Sequence, residues 1–306
     1  MSIKILEVKN LKKYYPSVKA VDDITFSIEK GTVFTLLGPN GAGKTTTLEI
    51  IEGIKKADEG RITFLEEEMK HVSDEAKQKI GVSLQSTNFI PHLKVKEVFE
   101  LFASFFKKSL PVEDVIGFVS LEEKRNDLVE KLSGGQKQRV AIGCALINDP
   151  DMVFLDEPTT GLDPQARRNI WGIIEHLKSQ GKTVFLTTHY MEEAQKLSDM
   201  VCIMDHGKII AIDTPFGHIK KLGEFNYVEF AAELEQSDID ELNAWDVEEV
   251  EIEGDNVIIP TKSLHTVLEK LLSWAKRKEL DLNDISVRQP NLEDVFLSLT
   301  GRRLRD

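Results

Sequence analysis

A short apolar run, Thr32 to Leu37, ends at Gly38 and opens into Gly38-Pro39-Asn40-Gly41-Ala42-Gly43-Lys44-Thr45, beyond which Thr45 to Ile51 reads as a helix. Buried strand, glycine-rich turn and helix in that order fit the pattern G-x-x-x-x-G-K-[ST]. In it, glycines let successive backbone N–H groups turn inward around phosphate oxygens while Lys44 adds a point charge. Lys44 is expected to neutralise β- and γ-phosphates, and the Thr45 hydroxyl to ligate Mg²⁺.

A second phosphate cradle lies farther along. Leu132-Ser133-Gly134-Gly135-Gln136 puts Ser and Gly at the start of an expected helix, where unpaired N–H groups and the positive end of the macrodipole attract anions. One chain thus carries two such cradles.

The 306 residues can bury a substantial core and suffice for two or three modules. No stretch approaches the run of about 18 apolar residues that spans a bilayer, so action at a membrane requires docking on another polypeptide, with no direct insertion. The start Met1-Ser2-Ile3-Lys4 leads at once into a strand-like segment, and no export signal is expected. Cys144 and Cys202 sit among apolar residues and are expected as free, buried thiols of a reducing, cytoplasmic compartment. The net charge of −13 argues against a nucleic-acid partner held through its phosphates. From Glu224 to Thr261 there is no Lys or Arg, which reads as a solvated acidic face or a docking surface for a basic partner.

Ile3 to Leu11 and Ile24 to Ile28 alternate like half-buried strands. Ile80 to Leu84, Met152 to Leu155, Val184 to Thr187 and Val201 to Met204 are further buried-strand candidates, separated by helical segments. Such an order implies an α/β fold with a mainly parallel sheet covered on both faces. Between these strands, Val95, Val98, Phe99 and Phe102 follow a helical stripe and Pro111 reopens the chain before another short helix, so an inserted helical subdomain is expected at about 86–148. Past Asp213-Thr214-Pro215 the pattern changes. Strands are expected at Tyr227 to Ala231, Val247 to Ile252, Val257 to Ile259 and Ile285 to Arg288, with helices at Ile239 to Asn243 and Leu264 to Ala275 and a final one through Leu292, Val295, Phe296 and Leu299. The domain division is therefore 1–215 and a small α+β domain at 216–306.

The run Met152-Val153-Phe154-Leu155 delivers Asp156 and Glu157 at its carboxyl end. Adjacent residues of an extended strand point to opposite sides, so Asp156 suits the Mg²⁺ shell and Glu157 is free to polarise an attacking water. His189 follows Val184 to Thr188, again at a strand end where ligands of parallel sheets collect, and suits a donor to the γ-phosphate. Gln85 likewise terminates a strand, and Tyr15 lies in a turn ahead of the strand that leads to Gly38.

Together these residues resemble the ATP-binding cassette (ABC) transporter ATPases over about residues 3–215, in that family's motif order. The resemblance implies a P-loop NTPase core with an antiparallel β subdomain, ATP and Mg²⁺ as ligands, and a role for each motif residue. Tyr15 matches the position that stacks on adenine, and Gly38 to Thr45, with Thr46, the Walker A loop. Gln85 matches the Q-loop, placed with both the catalytic and the metal-holding groups, and Ser133, Gly134, Gly135 and Gln136 the signature. Asp156 and Glu157 match the Walker B aspartate and catalytic glutamate, Asp163 the D-loop, and His189 the switch histidine. In that family two cassettes pair head to tail, each nucleotide lying between the Walker A of one and the signature of the other. A second ABC ATPase subunit, identical or homologous, is therefore implied.

Gln289-Pro290-Asn291-Leu292-Glu293-Asp294-Val295-Phe296-Leu297 resembles the closing motif of ATPase subunits of ABC-2-type, drug-resistance exporters. An exporter motor is thus expected, peripheral on the cytoplasmic face through transmembrane permease subunits, with Phe89, Ile90 and His92 as exposed contacts for them. A soluble ABC ATPase regulating a non-transport assembly is the alternative. A metabolic P-loop kinase would leave the signature and the His189 strand end unexplained.

Overall fold

A computed structural model describes residues 3–301 apart from 66, 69–72, 86, 87, 224, 246, 248, 249, 281 and 283. It divides into two compact units, one running to Pro215 and one beginning at Phe216.

The first unit opens with β1 (Lys4–Tyr15) and β2 (Val18–Glu29), an antiparallel pair closed by Pro16-Ser17. Tyr15, expected in the turn, is instead the last residue of β1 and pairs with Val18, because two residues suffice to reverse the chain. Then come β3 (Val33–Leu37), α1 (Lys44–Ile51), β4 (Glu59–Phe64), β5 (Glu67–Glu68), α2 (Asp74–Lys77) and β6 (Ile80–Ser83). A helical stretch follows, α3 (Val95–Ala103), α4 (Val112–Phe118) and α5 (Gly134–Leu146). The unit closes with β7 (Met152–Asp156), α6 (Pro164–Ser179), β8 (Thr183–Thr188), α7 (Met191–Leu197), β9 (Met200–Asp205) and β10 (Lys208–Asp213).

Two sheets result. One is antiparallel, in the order β2-β1-β4-β5. The other runs β10-β9-β3-β8-β7-β6, parallel from β9 to β6, with β10 added antiparallel at one edge. This is the mainly parallel P-loop NTPase core expected from the sequence, with its antiparallel subdomain; β4, β5 and β10 are strands not foreseen, being short or, as in the mixed run Lys208–Asp213, only partly buried. Strands β3, β7 and β8 are buried throughout, and successive side chains serve different layers. Val33, Val153, Leu155, Val184 and Leu186 join the core of the helical side, where Val95, Val98 and Phe99 of α3 are buried. Phe34, Leu36, Met152, Phe154 and Phe185 face the antiparallel sheet, with Phe26, Phe34 and Phe185 in a stacked row of rings. Phe89, expected to be exposed, packs partly buried against the helical core; Ile90 and His92 are exposed. Both cysteines are free and buried, and burial raises their thiol pKa values.

In the second unit, α8 (Pro215–Leu222) leads to β11 (Asn226–Ala231), α9 (Gln236–Asn243), β12 (Glu251–Glu253), β13 (Asn256–Thr261), α10 (Leu264–Lys278), β14 (Ser286–Arg288) and α11 (Leu292–Thr300). The antiparallel sheet runs β12-β13-β11-β14, and Val228, Phe230, Val257 and Ile259 pack with Val267, Leu271 and Trp274 of α10. The strand expected at Val247 to Ile252 is shorter: residues 248 and 249 lie outside the described residues, and the Val250 N–H donates to Asn243 Oδ1 at 2.8 Å rather than to a ladder. Nor is the acidic stretch simply a solvated face. Asp238 pairs with Lys278 at 2.7 Å, Glu229 with Arg288 at 2.6 Å, and Glu241 with Arg277, so cations from α10 and β14 meet several of its acids. The closing motif builds a helix start. Asn291 Oδ1 accepts from the Glu293 and Asp294 N–H groups, and Asp294 takes the Asn291 N–H at 2.8 Å and both Arg288 Nη groups.

At the end of α1, Glu52 is 8 % exposed, and neither carboxylate oxygen has a hydrogen-bond partner among the described residues. Burial, together with the charges of Asp156 and Glu49, pushes its pKa up to about 8. Because the folded pKa exceeds the unfolded one, the unfolded chain releases this proton first, and stability falls as pH rises from about 4.5 to about 8. Glu52→Gln removes this loss. Urea midpoints measured from pH 5 to pH 8.5 are expected to show the variant gaining on the parent as pH rises, and parallel curves would contradict the assignment.

Candidate active site

The loop after β3 is held where only glycine fits. Gly43 has φ 103°, and a Cβ there would lie 2.1 Å from the Ala20 carbonyl oxygen; at Gly38 a Cβ would lie 2.2 Å from that of Met204. Gly43 is the N-cap of α1 and offers no side chain to its first N–H groups, which leaves those donors for an anion.

Lys44 curls back over this loop. Its Nζ donates to the carbonyl oxygens of Gly38 at 2.9 Å and Pro39 at 3.1 Å, and pairs with Glu157 Oε1 at 3.1 Å, both side chains being buried. The other oxygen of Glu157 accepts from Thr160 Oγ1 at 3.1 Å and Gln85 Nε2 at 3.3 Å. His189 Nδ1 lies 3.2 Å from the same oxygen, at ion-pair distance but out of hydrogen-bond alignment. Burial alone would raise the Glu157 pKa, but His189 and Lys44 outweigh it and hold the carboxyl down at about 2. β7 ends at Asp156 and Glu157 has φ 46°, so these neighbours part because the backbone enters the left-handed region, not because an extended strand alternates. The Glu157 N–H is pinned by Thr187, through its carbonyl at 3.1 Å and its hydroxyl at 3.0 Å.

Asp156 Oδ1 accepts from the hydroxyls of Thr187 at 2.5 Å and Thr45 at 3.4 Å. Burial raises its pKa, with the hydroxyl donors partly offsetting the effect. A desolvated carboxylate facing a threonine hydroxyl beside a phosphate loop is the hard-oxygen set that Mg²⁺ takes, with substrate phosphates filling most of its shell. Thr45 and Asp156 therefore fit the ion. Gln85 is not part of that pair; its amide turns to Glu157.

A cleft of about 370 Å³ is lined by Tyr15, Val18, Ala20, Asn40, Gly41, Gly43, Lys44, Thr45, Thr46, Gln85 and Glu157, with Asp156 and His189 set behind Thr45 and Glu157. Ala42 is buried beneath the loop. Ser133, Gly134, Gly135, Gln136 and Asp163 line none of it. Ser133 caps α5, accepting from the Gln136 N–H at 3.3 Å while Gln136 Oε1 takes the Ser133 N–H at 2.9 Å. Ser133 and Gly134 are exposed. Gly135 packs so closely on α6 that a Cβ would lie 2.7 Å from the Ala166 Cβ, and Asp163 caps α6 through the Gln165 and Ala166 N–H groups, both at 2.9 Å. Thr160 and Thr187 contact the central acids yet escape sequence reading; Thr187 is a hydroxyl near the end of an apolar strand, and Thr160 lies in the turn after β7 with no signal of its own.

The site is that of a P-loop nucleotide hydrolase with a separate, outward-facing signature. The family model for ABC transporters matches residues 21–160. The Nod factor export ATP-binding protein I of Ralstonia nicotianae is 38% identical over 312 residues, covering 100% of this chain and 96% of that protein. The linearmycin resistance ATP-binding protein LnrL of Bacillus subtilis is 36% identical over 318 residues, covering 99% and 100%. Among solved structures, the ADP conformation of MJ1267, an ATP-binding cassette of an ABC transporter, matches with TM-score 0.63 and 30% identity over 70% of this chain and 92% of that one. The dimeric bacterial cassette MJ0796 matches with TM-score 0.62 and 27% identity over 68% and 98%. The chain belongs to the ATP-binding subunits of the ABC transporter family; it is an ATPase that binds ATP with Mg²⁺.

Since Glu157 is ionised against Lys44 with a depressed pKa, the stability it contributes is fully present above about pH 4.5 and is lost as pH falls toward about 2. Glu157→Gln, which leaves Lys44 without its partner, is expected to be the less stable protein at pH 7. Its deficit in thermal midpoint should shrink steadily on acidification from pH 5 to pH 2.5; a constant deficit would show that the pair does not set the effect.

Proposed function

We propose that the chain is the ATP-hydrolysing subunit of a membrane exporter and works as a head-to-tail pair. Each nucleotide would lie between the Gly38–Thr45 loop of one subunit and Ser133–Gln136 of the other. The observation that carries this is the outward-facing signature: an exposed anion-binding helix start that lines no part of its own chain's cleft is half of a site completed by a second chain. The dimeric structure of the cassette MJ0796 supports pairing of two such subunits.

Each residue then has a task. Tyr15 at the rim stacks on the adenine, and Gly38, Pro39, Asn40, Gly41, Ala42, Gly43 and Thr46 form the backbone and wall around the phosphates. Thr45 and Asp156 hold Mg²⁺, which when bound offsets phosphate charge. Incoming phosphates draw Lys44 away from Glu157, and the freed carboxylate accepts the proton of the attacking water at Oε1. Gln85 orients that water, and His189 donates toward the γ-phosphate. Ser133, Gly134, Gly135 and Gln136 grip the γ-phosphate held by the partner, beside Asp163 at the same interface.

Export is supported by the full-length match to proteins named for Nod factor export and linearmycin resistance, which includes the second unit. Among the described residues no helix is long and apolar enough to cross a membrane, so the path for cargo is assigned to separate permease subunits. Ile90 and His92, exposed after Gln85, are the contacts proposed for them.

Glu157→Gln is expected to lower hydrolysis by about 10²–10⁴-fold while retaining ATP-dependent association in light scattering. A variant that stays monomeric at saturating ATP would argue against pairing of the chain alone. Ser133→Arg is expected to stop turnover with nucleotide affinity intact, and loss of binding itself would overturn action across an interface.

A further inference from the structure

Among the described residues of the first unit, the most deeply buried charged side chain is Glu193, in the first turn of α7 and 0 % exposed. A carboxylate at that depth is costly to desolvate, and its contacts show what it holds. Oε1 accepts two hydrogen bonds of 2.9 Å, one from Thr159 Oγ1 and one from Trp171 Nε1. Thr159, also fully buried, stands two residues after Glu157 in the segment that leads to Asp163, and Trp171 is in α6. One oxygen atom thus ties together three pieces of chain: the Glu157 segment, α6, and the helix that begins directly after His189 and Tyr190. A parallel link supports it. The Arg167 guanidinium, one turn before Trp171 on α6, lies 4.2 Å over the Tyr190 ring, whose centroid is 4.2 Å from that of His189. The Tyr190 N–H is fixed in turn by Thr188 Oγ1 at 3.0 Å.

We propose that Glu193 is a positioning residue for hydrolysis, holding the His189 segment in place against Glu157 through Thr159 and Trp171. It touches neither the cleft nor its ligands; it acts through His189. The proposal rests on the roles assigned above to Glu157 and His189. It also connects α6, whose N-cap is Asp163, to the helix that begins just after His189 and Tyr190.

The test is steady-state ATP hydrolysis by the full chain with Mg²⁺. Glu193→Ala is expected to lower kcat about 10- to 100-fold with the KM for ATP little changed, as a small misplacement of a catalytic group does. Glu193→Gln keeps an acceptor oxygen for both donors and is expected to restore most of the rate. Because Glu193 acts through His189, Glu193→Ala combined with His189→Ala should be no slower than His189→Ala alone. A folded Glu193→Ala protein with the parental kcat, or losses that multiply in the double variant, would overturn the proposal. Should Glu193→Ala not fold, Thr159→Val and Trp171→Phe remove the two donors one at a time and are read in the same way. Glu157→Gln in the same assay separates the two readings. If it hydrolyses normally, the assignment of Glu157 fails; if it is inactive while Glu193→Ala turns over normally, only the role of Glu193 fails.

Discussion

The contact on which the site depends is the buried ion pair between Lys44 and Glu157. Either charge buried without the other would carry a desolvation penalty of several kcal/mol. The two residues are distant in sequence and meet because β3 and β7 both flank β8 in a parallel sheet, whose carboxyl ends converge. The rest of the arrangement then follows. The glycines must let the loop pass close to Ala20 and Met204, the strand must break at Glu157 to aim its carboxylate at the lysine, and Thr187 must fix the broken backbone. The pair is also a natural lock. A lysine neutralised by a carboxylate is drawn away most readily by a group of greater negative charge.

Much of this was legible in the sequence, for identifiable reasons. The strands β3, β7 and β8 are buried on both faces and so read as unbroken apolar runs, and the phosphate loop has a spacing that backbone geometry dictates. What escaped was whatever depends on a partner from elsewhere. Tyr15 looks like a turn residue until Val18 pairs with it. Phe89 looks like a surface aromatic until the helical core takes it up. The acidic stretch looks solvated until α10 and β14 supply their cations. The left-handed Glu157 carries no local signature: the change from apolar to acidic residues marks the strand's end but not the backbone conformation that follows it. Ser133 shows a different ambiguity: the same hydroxyl that suits a phosphate serves as a helix cap, and a sequence does not separate the two.

The second unit illustrates a motif whose meaning is architectural. Asn291 and Asp294 close the start of α11 on each other, and the bidentate bond from Arg288 fastens that helix to β14. Arg288 also lies over the Tyr227 ring and pairs with Glu229. A single arginine therefore joins strand, helix and aromatic surface, which accounts for a compact polar signature in a domain of modest core.

The meeting of Gly135 with Ala166 leaves no room for a methyl group between the start of α5 and the first turn of α6. The exposed ends capped by Ser133 and by Asp163 are therefore held close together. A surface that engaged both ends would meet them at one close spacing, set by backbone meeting side chain with no other group between.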